Sequence, residues 1–218
     1  MPPLTTKLHL EMLQRARDQG QVAHDGLYGL HWGDPEDPQN IALQTVRDHW
    51  LHPYVNPAGV ALEIGPGGGR WSRYLLGFRR LYVVDFHSEL LAEFRRNFPQ
   101  SHIVEILNNG TDFPGVPAKS IDFVFSFGVF VHLDLDIIRD YLRNLRSVIH
   151  PRSQVVIQYA DKDKPQARRN RGFSENDPRR MRAAVEDAGY RILEEDTTSL
   201  DHSAIMRFRM SEKPVRPV

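Results

Sequence analysis

The sequence predicts an α/β fold in which a mostly parallel sheet carries helices on both faces. From Val60 onward, short apolar segments alternate with segments whose apolar residues recur at helical spacing. Such alternation is typical of parallel strands joined by crossover helices. The first apolar segment, Val60–Ile64, runs directly into a glycine-rich turn at Gly65–Gly69. The length of 218 residues suffices for one such domain with some additions.

The composition is that of a soluble globular protein and excludes some kinds of function. Hydrophobic residues make up 40% of the chain, charged residues 26%, and the formal net charge is zero. A neutral chain is not a general polyanion binder, so nucleic acid is an unexpected partner. The absence of cysteine excludes disulfides, thiol catalysis and thiolate metal sites. No apolar run approaches the roughly 20 residues of a membrane span, and no signal peptide is recognisable, so we expect a cytoplasmic protein without membrane association.

We divide the chain into three parts. Residues 1–55 form an N-terminal extension of helices and loops that can act as a lid, residues 56–210 form the main domain, and residues 211–218 form a flexible tail. Within the extension, Leu8–Arg17 and Ile41–Leu51 are predicted helices.

The strand at Val60–Ile64 and its glycine turn form the most informative segment. We expect a helix over Trp71–Leu76, which completes a strand–loop–helix unit of the kind that binds nucleotide-like ligands. Arg70 occupies the position where a dinucleotide-binding motif has its third glycine, which disfavours the packing used for NAD. Glu63, near the end of the strand, either accepts hydrogen bonds from a ligand or braces the loop.

The remaining elements follow in regular order. Predicted strands are Leu81–Asp85, His102–Leu107, Ile121–Phe127 (prolonged by Val129–Val131), Val155–Tyr159, Arg191–Glu194 and Ala204–Arg209. Predicted helices comprise a segment whose buried face contains Leu90, Leu91, Phe94 and Phe98, then Leu135–Ile149, then Pro178–Ala188. Asp177 is the expected N-cap of the last helix, and Gly189 its stop.

Asp85 ends the second strand, about 20 residues after Gly65. An acidic residue there can accept hydrogen bonds from ribose hydroxyls, whether the ligand is NAD or another adenosine compound. The alternative is an ordinary turn residue.

Four segments together resemble the class I S-adenosylmethionine-dependent methyltransferases. They are Glu63–Gly69, Asp85, Asn109–Pro114 and Ile121–Phe127, within a resemblance that covers about residues 58–160. It implies a Rossmann-like, seven-stranded, mostly parallel sheet with an antiparallel C-terminal strand, and S-adenosylmethionine as cofactor. The cofactor-binding residues that it implies are Glu63, Gly65, Gly67, Gly69, Asp85, Asn109, Gly110 and Phe127. Asn109 stands where the family often has aspartate, and an amide oxygen can still accept from the adenine amino group; an Asn-Gly turn without a ligand is the alternative.

His132 is the strongest candidate for proton removal from an acceptor. It follows the fourth strand, at the edge of the sheet where open α/β folds bind ligands. A structural histidine that links strand to helix is the alternative. His31 is a second catalytic candidate, in a loop with Tyr28 and Trp32 that closes over cofactor and acceptor or simply packs against the core.

Gln158 and Tyr159, at the end of the fifth strand, are candidates for the acceptor pocket, against plain strand-end packing.

Other chemistries find less support. Together with Asp134 and Asp136, His132 offers ligands for a divalent ion, but Asp134 is better explained as a helix N-cap, and we predict no metal site. His202–Ser203 lacks the Gly-x-Ser-x-Gly pattern of a hydrolase. The basic run between residues 161 and 182 is either a solvated face or the border of a site for an anionic acceptor or RNA.

The sequence thus predicts methyl transfer to a small-molecule acceptor. The alternatives are a nucleotide-dependent oxidoreductase and a non-catalytic protein that binds S-adenosylmethionine and acts through a partner.

Overall fold

The structure, a computed structural model, describes residues 28–212. Its strands are β1 (Val60–Ile64), β2 (Arg80–Asp85), β3 (Ile103–Leu107), β4 (Ile121–Ser126), β5 (Ile149–Ala160), β6 (Tyr190–Asp196) and β7 (Ser203–Met210). Its helices are α1 (Ile41–Thr45, continued by a π-helical segment Val46–Leu51), α2 (Ser88–Asn97), α3 (Leu135–Val148), α4 (Pro165–Arg169) and α5 (Pro178–Asp187), with 3-10 turns at Leu30–Trp32, His52–Tyr54 and Ser72–Tyr74. The predicted helix Leu8–Arg17 and tail residues 213–218 lie outside the described residues.

The seven strands form one sheet in the order β3-β2-β1-β4-β5-β7-β6. Strands β1 to β5 pair in parallel, and β7 runs antiparallel to both of its neighbours. This confirms the predicted fold class, including the antiparallel C-terminal strand. Because β7 is reversed, its first residue, Ser203, pairs with Ala160 at the end of β5. The start of β7 therefore lies at the same edge as the carboxyl ends of the parallel strands.

Two apolar layers cover the faces of the sheet. Alternate side chains of a strand point to opposite faces, and β1 sends Leu62 and Ile64 into one layer and Ala61 into the other. The first layer contains the apolar faces of α3 and α5, and the second contains those of α1 and α2. Helices on both faces explain why the central strands are apolar throughout rather than alternating.

Three predicted elements differ from the structure. The segment Trp71–Leu76 forms a single 3-10 turn instead of a helix, because Tyr74 N and Leu75 N donate to carbonyls three residues back and Gly77 soon follows. Val129–Val131 do not prolong β4, because Gly128 turns the chain at φ +81° and His132 N donates to Val129 O at 2.9 Å. Strand β5 begins at Ile149 rather than Val155. In the part of the chain described, no helix has the length and apolarity that crossing a bilayer requires.

Candidate active site

A cavity of about 660 Å³ lies along the carboxyl edge of the sheet. Residues at the ends of six strands line it. In the spatial order β3, β2, β1, β4, β5 and β7 they are Asn109, Asp85, Gly65, Phe127, Gln158 and His202. The first three residues border the β3-β2-β1 end, and the last three border the β4-β5-β7 end. Ligand sites of open α/β sheets lie at this edge.

The glycine loop shapes the floor of the cavity. Gly65, Gly67 and Gly69 adopt φ values of +70°, +56° and +100°, which side-chain-bearing residues rarely adopt. Gly65 and Gly67 line the cavity, whereas Gly69 does not. A Cβ on Gly69 would lie 2.0 Å from Cε2 of Phe98. Gly69 is therefore explained by the close packing of the loop against the end of α2.

Glu63 lies beneath the loop and outside the cavity lining. Its side chain is buried, and Ser72 Oγ donates to its Oε2 at 2.5 Å. Burial, together with the nearby charge of Asp85, raises the pKa of Glu63 to about 8. These contacts match the bracing alternative that the sequence left open.

Asp85 reaches the cavity from the tip of β2. The backbone N–H of His87 donates to Asp85 Oδ1 at 2.9 Å, and His87 Nδ1 lies 3.0 Å from the same oxygen. The carboxylate is thus oriented through one oxygen. Beside it, Phe86 is 40% exposed and also lines the cavity, although no sequence pattern selected it.

Asn109 lies at the cavity wall with its side chain folded back on its own loop. Its Oδ1 accepts hydrogen bonds from Thr111 N at 3.0 Å and Asp112 N at 3.2 Å, and its backbone N–H donates to Asp112 Oδ1 at 2.9 Å. Asn-Gly turns close in this way. In this arrangement the amide oxygen holds the turn, and Gly110 is the adjacent lining residue.

The N-terminal segment crosses the glycine loop. Gly68 N donates to Tyr28 O at 3.2 Å, and a Cβ on Gly68 would lie 2.0 Å from Tyr28 N. Tyr28 and Trp32 both line the cavity, with their rings edge-to-face at 5.2 Å between centroids. An ion pair between Asp34 and Arg73 holds the segment that follows. The side chain of His31, the second predicted catalytic residue, lies outside the described part of the chain.

His132 lines the cavity just after β4. Its Nδ1 lies 2.7 Å from the carbonyl oxygen of Gly172, which can only accept, so Nδ1 carries the proton and Nε2 carries the lone pair. Burial lowers the pKa of His132 below its usual 6.5. A neutral imidazole of this tautomer has the properties of a general base.

Comparison with known proteins relates the fold to that of methyltransferases. Residues 62–157 match a methyltransferase domain family. The N-methyltransferase NodS of Bradyrhizobium japonicum WM9, solved with S-adenosyl-L-homocysteine, superposes with a TM-score of 0.66 at 18% identity, covering 89% of this chain and 96% of that one. The PH0226 protein of Pyrococcus horikoshii OT3 gives 0.68 at 14% identity, with 91% and 99% covered. A DhpI complex with S-adenosylhomocysteine gives 0.64 at 20% identity, with 91% and 94% covered.

At these identities the structural matches establish the fold, and the family match adds the activity class. Residues 62–157 form a methyltransferase domain, on the fold of S-adenosylmethionine-dependent methyltransferases. No protein of curated function matches the sequence.

Gln158 and Tyr159, the two β5 residues predicted for the acceptor pocket, have different surroundings in the methyltransferase. Gln158 lines the cavity, whereas Tyr159 is not among its lining residues. Adjacent strand residues point to opposite faces, and the Tyr159 hydroxyl instead donates to Glu195 on the far side of the sheet. Glu195 is paired with Arg182 at 2.5 Å.

Two further residues of the methyltransferase cavity were not predicted as site residues. Arg70 is buried, donates from Nη1 to Gly33 O at 3.2 Å, and lies 5.6 Å from the ring centre of Phe127; burial lowers its pKa to about 10. His202 reaches the cavity because β7 is antiparallel, so the residue before it lies at the ligand edge. A histidine directly preceding the last strand was the available signal, but the direction of that strand had to be known to interpret it.

The structure also bears on the possible metal ligands around His132 and on the basic run. Asp134 occupies the N-cap position of α3, although its side chain accepts no capping hydrogen bond, and no group of three or more potential metal ligands occurs within residues 28–212. Within the basic run, Lys164 donates to Leu200 O at 2.5 Å, Arg168 to Lys162 O at 2.7 Å, and Arg180 to Glu175 O at 2.7 Å. These cations satisfy carbonyls of the protein itself, which favours a structural role for the run.

Proposed function

We propose that this methyltransferase transfers a methyl group from S-adenosylmethionine to a small-molecule acceptor bound at the β4-β5-β7 end of the cavity. The continuity of the cavity carries the proposal, since one volume of about 660 Å³ reaches both Asp85 and His132. Pockets of this size enclose most of the surface of a small ligand. Tyr28 and Trp32 line the same cavity, and the zero net charge favours a small acceptor over a nucleic acid.

The residues at the β3-β2-β1 end fit an adenosyl ligand. Gly65 and Gly67 let a ligand approach the main chain, and the Asp85 carboxylate, oriented by His87, suits a pair of ribose hydroxyls. Phe86 offers an exposed apolar face to a base. Asn109 and Gly110 border that base site, with Asn109 contributing through its amide nitrogen or backbone, because its oxygen closes the turn.

Phe127 follows β4, the strand that pairs with β1, and Arg70 lies beside it. Arg70 is a buried cation stacked beside Phe127, and it gives the amino-acid end of the cofactor a partner for its carboxylate. Glu63 and Gly69 support this site from beneath through their contacts with Ser72 and Phe98. S-adenosylmethionine supplies an electrophilic methyl group on a sulfonium when bound.

The protein's own part in the chemistry is positioning and proton removal. Holding an acceptor in line for a displacement lowers the barrier by converting an encounter into an intramolecular step. His132 accepts the proton of a hydroxyl acceptor at Nε2, while the Gly172 carbonyl fixes the ring through Nδ1. Gln158 forms the wall at this end, and Tyr28 and Trp32, within the proposed extension of residues 1–55, cover it and exclude water. We retain His31 as a second acceptor-side candidate on its place in that segment.

Calorimetric titration with S-adenosylhomocysteine and with NADH tests the cofactor assignment. We expect binding of the first and none of the second. Asp85→Ala should weaken S-adenosylhomocysteine binding by about 1–3 kcal/mol, or roughly 5- to 150-fold in Kd, the worth of hydrogen bonds to a charged group. The matched control is Asp140→Ala, an exposed acid on α3 that pairs with Arg143 at 2.6 Å. Preferential binding of NADH, or an unchanged affinity in Asp85→Ala, would contradict the assignment.

A further inference from the structure

A buried chain of hydrogen bonds fixes the protonation of His202. The backbone N–H of Gly128 donates to Gln158 Oε1 at 2.7 Å, which orients the side-chain amide and leaves its Nε2 as a donor. Gln158 Nε2 lies 2.8 Å from Ser203 Oγ, so this hydroxyl oxygen accepts. Ser203 Oγ also lies 2.9 Å from Nδ1 of His202.

The direction of the last bond follows from satisfying the buried serine. Ser203 is fully buried, and a buried hydroxyl proton left without an acceptor costs free energy. Its Oγ already accepts from Gln158, and His202 Nδ1 is its remaining contact within the described residues. The hydroxyl therefore donates to Nδ1. A neutral His202 then carries its proton on Nε2, the opposite tautomer to that of His132.

The two histidines lie close together in the same end of the cavity. Both rings contact Phe173, with centroids 5.4 Å from it for His132 and 5.3 Å for His202. Burial lowers the pKa of each histidine below 6.5, which favours the neutral imidazole. The charges of Lys164 and Arg70, and that of His132 when it is protonated, lower the pKa of His202 further, whereas Asp201 raises it. Among the described lining residues, the Asp, Glu, Lys and Arg side chains are limited to Asp85 and Arg70.

We propose that His132 and His202 form a complementary pair that selects a neutral acceptor with two neighbouring oxygens. His132 takes the proton of the hydroxyl that is methylated, and His202 donates from Nε2 to the oxygen beside it. The aromatic and aliphatic lining from Phe127, Phe173 and Ile137 suits a planar apolar body, as in an ortho-dihydroxybenzene. A cationic amine finds no carboxylate among the described lining residues at this end. This inference rests on the proposed function, because it names the acceptor class of that site.

Histidine tautomers can be measured without knowing the natural acceptor. Long-range ¹H–¹⁵N spectra of the full chain saturated with S-adenosylhomocysteine at pH 8 should show a proton on Nδ1 of His132 and on Nε2 of His202. Ser203→Ala should shift His202 away from that tautomer and leave His132 unchanged, while Ser147→Ala, whose Oγ donates to Asn144 O on α3, should affect neither. A wild-type His202 with its proton on Nδ1, or an unaltered His202 in Ser203→Ala, overturns the proposal.

The acceptor class is tested by titrating catechol, phenol and aniline into the same complex and following both imidazoles. Catechol should bind most tightly, and His202→Leu should weaken it about two- to tenfold, the worth of one neutral hydrogen bond. His202→Gln, whose amide can donate in place of Nε2, should restore most of the affinity. Equal binding of phenol or aniline, or no response of either histidine to catechol, overturns the assignment. If S-adenosylhomocysteine itself does not bind, the proposed function fails first; if it binds and the histidine results are reversed, only this inference fails.

Discussion

Replacing Gly65 by alanine measures how tightly the glycine loop is held against the turn after β4. At φ +70° an alanine raises the free energy of the folded state by about 1–2 kcal/mol, because its Cβ disfavours the left-handed conformation. Its Cβ would also lie 2.1 Å from Cγ2 of Val129, and an overlap of this kind in a packed site costs about 1–3 kcal/mol. We therefore expect Gly65→Ala to lower the free energy of unfolding by about 2–5 kcal/mol and to weaken S-adenosylhomocysteine binding.

Two further variants separate the strain from the overlap. Gly115 has φ +78°, and a Cβ added there would have nothing within 4 Å, so Gly115→Ala reports the backbone strain alone. Val129→Ala removes Cγ2 and leaves the nearest remaining atom, Cβ, at 3.4 Å from the new methyl group. The double variant Gly65→Ala/Val129→Ala should thus recover about 1–3 kcal/mol relative to the sum of the single changes.

Urea denaturation of the four variants supplies the unfolding free energies, and calorimetry supplies the affinities. The prediction fails if Gly65→Ala lowers the free energy of unfolding no more than Gly115→Ala does, or if the double-mutant cycle gives no coupling. Either result would mean that Val129 does not press on the loop as the structure has it.

Three other predictions follow from single contacts. The pKa of Glu63 is raised to about 8, so the folded state holds its proton more tightly than the unfolded state. Between the ordinary glutamate pKa of 4.5 and about 8, the wild type should therefore lose stability relative to Glu63→Gln as pH rises, by up to about 1 kcal/mol per pH unit in urea titrations. Unfolding free energies of the two proteins that change in parallel with pH would disprove this. His132→Gln should reduce turnover while calorimetric affinity for S-adenosylhomocysteine is retained. Wild-type kcat should rise with pH through a pKa below 6.5 and level off above it, because the base must be deprotonated. Turnover that persists in the variant would make His132 structural. Tyr159→Phe should cost about 1 kcal/mol of stability through the lost bond to Glu195 but leave the KM for an acceptor unchanged, and a raised KM would return Tyr159 to the site.

Several features of the site depend on residues that are close together in the chain, and those features could be predicted from the sequence. The strand Val60–Ile64, the positive-φ glycines after it and Asp85 about 20 residues on belong to one local strand–loop–strand unit. Patterns of this range are encoded in apolar runs and glycine positions, because backbone sterics act over a few residues. His132 could be selected because it directly follows an apolar strand.

Other features depend on which elements meet in space. Gln158 and Tyr159 are equivalent in the sequence, and only the packing of β5 between β4 and β7 decides that the first lines the cavity and the second meets Glu195. Asn109 could be interpreted as a ligand for adenine until the loop showed its oxygen held by Thr111 and Asp112. These are choices of face and hydrogen-bond partner, which a linear pattern leaves open.

The alternation of strands and helices, the glycine turn and the acid at the tip of β2 were determined by the sequence itself, since each arises from local propensity and spacing. The tertiary structure decided the direction of β7, and with it the position of His202 beside His132. It also buried Arg70 in the cavity wall beneath Gly33. The physical reason is that strand pairing and side-chain burial join residues far apart in the chain, and the free energies that favour one such pairing over another are sums over the whole core.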